Sequence, residues 1–166
     1  MKEISFTVPV DRRYFEDYVA GSVHIFGPIR VEQDEIIDFA RRFDPQPMHL
    51  DPEAAGKSSF GGLIASGWHT ACLMMKLFVE HFLSSVASLG SPGVDELRWI
   101  RPVRPGDDLS IRVKVLETRR SRSKPDRGIL RTFVEVLNQN QEVVVTMQGL
   151  NLLKCRQKPG AREGRV

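Results

Sequence analysis

Two side chains able to trade protons with a substrate stand close together in the segment FDPQPMHLD: Asp44 and His49, five residues apart. Histidine titrates near neutral pH and can take and return a proton in one reaction cycle. A neighbouring carboxylate can orient a water or exchange protons with the ring. Pro45 and Pro47 stiffen the chain between them, since each locks φ and biases the residue before it toward extended geometry. The same spacing also suits an Asp44 that ends a helix and a His49 hydrogen-bonded in a loop, and spacing alone does not separate the two.

A second feature follows in SSFGGLIASGWHT, where Gly67 opens a long helical pattern. A helix N-terminus offers free backbone N–H groups and partial positive charge. Without a Cβ at its first turn, a ligand carbonyl can come close enough for its developing negative charge to be stabilised there. Tight packing at a turn would also call for these glycines. A phosphate-cradling loop is disfavoured, because neither Gly-Lys-Ser/Thr nor GxGxxG follows a strand. Asp51, just before Pro52, reads as the cap of a short helix. Ser66 lacks the GxSxG setting of a nucleophile. His24 reads as a strand-surface residue, His69 as a helix-start residue and His81 as part of an exposed helix stripe. Cys72 reads as helix core, and no set of residues has metal-ligand spacing.

The elements that must hold these residues are legible in the periodicity. Val23 to Ile29 reads as a first strand after an extended lead-in. Glu32 to Phe43 is an amphipathic helix, with Ile36, Phe39, Ala40 and Phe43 on one face, acids in its first turn and Arg41 and Arg42 in its last. From Gly67 onward, Trp68, Ala71, Cys72, Met74, Met75, Phe78, Phe82 and Val86 surround most of a helical cylinder, leaving a narrow polar stripe of Lys76, Glu80 and Ser84. Such a helix belongs inside something. The wrapping comes from period-two runs at 109–115, 129–137 and 143–153, with 94–100 as a fourth. An antiparallel β-sheet curled around one long central α-helix is the α+β hot-dog fold.

Length and composition agree with one such domain. A chain of 166 residues buries roughly two-thirds of its unfolded surface, and the expected boundaries are a single domain over 1–154 and a flexible tail over 155–166. Two cysteines are too few for a disulfide scaffold, which points to a reducing, cytoplasmic setting. The charged start has no apolar signal core. The apolar stretch from Gly67 to Leu89 is broken by His69, Lys76, Glu80 and His81, so no membrane span is expected. Charge is uneven: residues 1–97 carry 8 basic and 14 acidic side chains (net −6), residues 98–166 carry 16 and 7 (net +9). A basic half suits nucleic acid, a membrane surface or a phosphorylated ligand.

The segment FARRFDPQPMHLDPEAAGKSSFGGLIASGWHT, with the later PVRPGDDL, resembles the signature of the MaoC-like dehydratases and (R)-specific enoyl-CoA hydratases, and the resemblance extends over about residues 14–154. It implies that Asp44 and His49 are the catalytic pair and that the Gly67 N–H polarises a thioester carbonyl. Gln46 stands where the family has Asn; it keeps the amide on a longer arm, in a substrate-binding or loop-supporting position. The implied reaction is reversible addition of water to a 2-enoyl-CoA, giving a (3R)-hydroxyacyl-CoA, with no metal or other cofactor and with coenzyme A as part of the substrate. The resemblance further implies a homodimer whose acyl chain runs beside the core helix, with Trp68, Met75 and Phe78 as candidate liners, and neither nucleic acid nor membrane as partner. Some of the 11 basic residues from Arg98 to Arg131 would then meet the phosphates of coenzyme A. Two other classes remain open: a hot-dog thioesterase, which needs a helical carboxylate and has only an outward-reading Glu80, and a binding module without turnover.

Overall fold

The computed structural model describes residues 5–156. After two short 3₁₀ turns at Val10–Arg12 and Phe15–Asp17, the chain forms β1 (Val23–Arg30), α1 (Gln33–Phe43), the short helices α2 (Pro47–Leu50) and α3 (Pro52–Gly56), and α4 (Gly67–Leu77). The strands β2 (Gly93–Trp99), β3 (Asp108–Arg120), β4 (Arg127–Leu137) and β5 (Val143–Lys154) follow. The strands make one five-stranded antiparallel sheet in the order β1-β3-β4-β5-β2.

The alternation read along β3 becomes the inner face of that sheet. Leu109, Ile111, Val113 and Val115 are fully buried while Ser110, Arg112 and Lys114 face outward, as a strand with a period of two requires. Leu130, Val134 and Val136 of β4 and Val145, Met147 and Leu153 of β5 complete the surface on which α4 lies, through Leu73, Met74, Leu77 and the following Phe78 and Phe82.

Three expectations about the helix are corrected. The α-helix is shorter than the apolar run, because a π-type turn at Phe78–Phe82 ends it and Leu83 is extended. Ser84 therefore leaves the polar stripe: it is buried, donating to Arg13 O at 2.5 Å and accepting from Ala87 N–H at 2.9 Å. Nor is the helix wrapped all round. Trp68, Cys72, Met75 and Val79 form an exposed line along it, so Cys72 is not core; the sheet covers one face only.

The N-terminal segment closes the far end of the helix. The buried Arg13 guanidinium donates to His81 O at 3.0 Å and Phe82 O at 2.7 Å, and the Tyr18 hydroxyl donates to Phe82 O at 2.9 Å. These donors satisfy carbonyls that a helix end leaves without partners. His24 is buried rather than on the strand surface; it stacks on Phe6 with centroids 4.1 Å apart and meets the Ser22 hydroxyl at 2.9 Å. Cys155 and Arg156, expected to open the tail, are tied down instead: Cys155 N–H donates to Asp126 O at 2.7 Å and Arg156 N–H to Glu16 at 2.9 Å. Residues 157–166 of the expected tail lie outside the described residues.

Candidate active site

The segment from Asp44 to Asp51 is more ordered than a loop. Asp44 is the C-cap of α1, its N–H donating to Ala40 O at 2.9 Å, and its extended φ of −151° turns the chain out of the helix. Pro47 then starts α2, where a missing N–H costs nothing, and this single turn carries His49. Asp51 caps α3 as expected, accepting from Glu53 N–H at 2.9 Å and Ala54 N–H at 3.3 Å.

His49 is buried, and its Nδ1 lies 2.9 Å from Ile64 O. A carbonyl only accepts, so this contact places a ring proton on Nδ1; in the neutral ring Nε2 then carries the lone pair. Nε2 points to Asp44 Oδ2 at 3.5 Å. The strand-like stretch 63–66 that supplies Ile64 O is itself anchored, by Ile64 N–H to Met48 O at 3.2 Å and Ala65 N–H to Val103 O at 2.8 Å.

Asp44 is held by two donors. The Ser66 hydroxyl donates to Oδ2 at 2.7 Å, and the Gln46 amide donates to Oδ1 at 2.7 Å. The Ser66 hydroxyl, followed by the Gln46 amide and the nearby His49, holds the Asp44 carboxyl below the usual aspartate value against the opposing effect of burial. The carboxylate is therefore ionised at neutral pH. Gln46 reaches Asp44 through its longer arm, which gives this departure from the family's Asn a defined job.

Ser66 is the residue that sequence reasoning missed. It is fully buried, and as the N-cap of α4 its Oγ accepts from Trp68 N–H at 3.2 Å while donating to Asp44. One hydroxyl thus ties the Asp44 carboxylate to the start of the central helix. The sequence signal was a capping one, Ser just before a Gly-led apolar run.

Gly67 follows as the first residue of α4, where its N–H has no intrahelical acceptor. Asp44, Gln46, His49, Gly67 and Trp68 line one cleft of about 460 Å³, together with Met48, Phe60, Thr70, Trp99, Ile100, Arg101 and others. That size falls in the range of small-molecule sites. Two of the expected acyl-chain liners do not take part: Phe78 is sealed in the core and Met75 lies on the exposed helix line, away from the cleft lining. Glu80 also lies outside the cleft, paired with Lys76 on the helix surface.

His69 is buried rather than simply near a helix start. Its ring stacks on Phe39 of α1 with centroids 5.0 Å apart, and among the described residues its Nδ1 has no hydrogen-bond partner. Desolvation lowers its pKa, with Glu35 opposing. Among the described residues no group of three or more His, Cys, Asp or Glu side chains could hold a metal ion, and no helix is long and apolar enough to cross a membrane.

A hot-dog sheet carrying an Asp–His pair beside a helix N-terminus defines a class, and comparison with known proteins names it. Residues 18–148 match the MaoC like domain; the chain belongs to the MaoC-like dehydratase family. The crystal structure of the MaoC-like dehydratase from Rhodospirillum rubrum superimposes with a TM-score of 0.81 at 41% identity, covering 88% of this chain and 99% of that one. The (R)-hydratase from A. caviae involved in PHA biosynthesis gives 0.64 at 26% identity, over 84% and 98%. Among sequences, the uncharacterized protein YdeM of Bacillus subtilis is 33% identical over 126 residues, 76% of this chain and 88% of that protein.

Proposed function

We propose that the protein catalyses the reversible hydration of a 2-enoyl-CoA to a (3R)-hydroxyacyl-CoA. The observation that carries this reading is the His49 Nε2 to Asp44 Oδ2 approach of 3.5 Å, with the ring proton fixed on the far nitrogen by Ile64 O. With the ring neutral, Nε2 and the carboxylate are two acceptors facing each other, and their natural guest is a water that donates a proton to each. Its oxygen lone pairs then point out into the cleft, where C3 of a bound enoyl group would lie.

As the C3–O bond forms, the water loses one proton to the pair and the electrons of the C2–C3 double bond move toward the thioester oxygen. That oxygen takes up its charge at the Gly67 N–H, reinforced by the dipole of α4. A proton returns from the pair to C2, so that water adds across the double bond with no net proton change. Asp44 and His49 act as one coupled unit in these transfers. The (R)-hydratase neighbour supports the stereochemical assignment, and the dehydratase neighbour supports the reverse direction on the same site.

The exposed line of Trp68, Met75 and Val79, with Val94 and Ile100 on or beside the edge strand β2, supports a homodimer formed on that face, since an open strand edge and an apolar helix face both gain from a second copy. Purified protein mixed with crotonyl-CoA should bleach the conjugated enoyl absorbance without releasing free thiol. Thiol release from acyl-CoA in place of hydration would assign it to the thioesterases, and no turnover across a broad enoyl-CoA panel would remove the enzymatic reading altogether.

A further inference from the structure

Trp99 has no part in the proton transfers above, yet its placement is tightly specified. It is the last residue of β2, paired with Val145 of β5, and the next two N–H groups, of Ile100 and Arg101, both donate to Val144 O at 2.8 and 3.3 Å. The indole therefore projects into the cleft from a fixed point on the sheet edge.

Its target is Gly67. A Cβ added to Gly67 would lie 2.4 Å from Trp99 Nε1, 2.5 Å from Cε2 and 2.8 Å from Cδ1. Nε1 is bonded to both of the other two atoms, so similar short approaches to all three mean that the five-membered ring lies face-on over the Gly67 Cα. A ring presenting its N–H edge would keep the two carbons farther off. Position 67 is thus glycine for a reason independent of hydrogen bonding: the indole occupies the place of a side chain. Trp68 stands edge-on to this ring, with centroids 5.2 Å apart and an interplanar angle of 76°.

Trp99 is 45% exposed and Trp68 57%, so neither is needed to fill the core. Their shared surface faces the cleft. An acyl group whose carbonyl reaches the Gly67 N–H would lie in the cleft that this indole lines.

We propose that Trp99 is a specificity-determining residue: its ring, seated on Gly67, walls the cleft beside the thioester and favours short acyl groups over long ones. This rests on the enoyl-CoA reading of the site. A methylene gained or lost in such an apolar pocket changes selectivity by about 10–200-fold, so removing the ring should be visible in the ranking of substrates.

The test compares crotonyl-CoA with trans-2-octenoyl-CoA in wild type, Trp99→Phe and Trp99→Ala. In Trp99→Ala the octenoyl-to-crotonyl ratio of kcat/KM should rise at least about tenfold, with the crotonyl loss mainly in KM because the wall binds ground state and transition state alike. Trp99→Phe, which still covers Gly67, should keep the ratio within about threefold. Equal losses on both substrates, or a falling ratio, overturn the proposal and leave the ring a structural prop.

A thermal cycle tests the seat without turnover. Gly67→Ala should lower Tm in wild type and change it little in the Trp99→Ala background, because the collision is then gone; additive effects overturn the proposal. If wild type hydrates neither substrate, the functional reading fails and takes this one with it, whereas hydration with an unmoved ratio refutes the wall alone.

Discussion

Replacing Ser66 with alanine removes one hydroxyl that serves two masters, and the cost can be built up from the structure. Loss of the N-cap bond to Trp68 N–H costs about 1 kcal/mol. Loss of the bond to the ionised Asp44 at 2.7 Å costs about 1.5–3 kcal/mol, as for hydrogen bonds to charged groups. The two share an atom and will not add fully, so a destabilisation of about 2–3 kcal/mol is expected in urea unfolding at pH 7. The Asp44 bond stabilises only the charged carboxylate, so its loss also raises the Asp44 pKa. Without that donor the Asp44 titration moves upward. The assay pairs urea unfolding at pH 7 with an NMR titration of the Asp44 carboxyl from pH 2 to pH 6 in wild type and variant. A loss of only the capping increment with an unmoved Asp44 titration would show that Ser66 does not support Asp44.

Other expectations follow from single contacts. The Asp44 pKa is held below the ordinary 3.8, so its contribution to stability is complete above that value and is lost as pH falls through the lower folded value; the stability gap between wild type and Asp44→Asn should hold steady from pH 7 to pH 5 and narrow on acidification below 3.8, as read by denaturant midpoints. Arg13→Met strips the donor from His81 O and one of the two donors from Phe82 O, which keeps the Tyr18 hydroxyl, and the carbonyl left unpaired should cost about 1–3 kcal/mol while KM stays unchanged, since that end of the helix is remote from the cleft. Val79→Asp, on the exposed helix line, should convert a dimer to monomers in sedimentation, and a wild type that sediments as a monomer at micromolar concentration refutes the proposed interface.

The sheet was readable in advance because period-two alternation along 109–115 and its neighbours reports burial directly. Helix α1 was readable because its charges follow its dipole and its apolar residues keep one face. Helix α4 was harder. Apolar residues all round a cylinder do not say whether sheet or solvent covers them, so Cys72 and Met75 were assigned inward when they lie on an open face. The π turn at Phe78–Phe82 is set by Arg13 and Tyr18, more than sixty residues away, and local sequence carries no trace of such a partner. The same limit hid the rest of the site. Asp44, His49 and Gly67 stood out by residue type and spacing and took their expected roles from motif resemblance, whereas the Ser66 bond to Asp44 and the seating of Trp99 on Gly67 join segments 22 and 32 residues apart. Only tertiary packing brings those pairs together.

The proposed reaction requires Asp44 and His49 to share one water. The direct measurement is a double-mutant cycle in kcat/KM for crotonyl-CoA, with Asp44→Asn, His49→Gln and both together, each variant first checked for an unchanged thermal melt. Each single change should cost about 10²–10⁴-fold, the range for a positioned acid–base group, and the double variant should be little worse than the poorer single, as for residues acting as a unit. Losses that multiply would mean that the two side chains work independently, and the shared water would have to be given up.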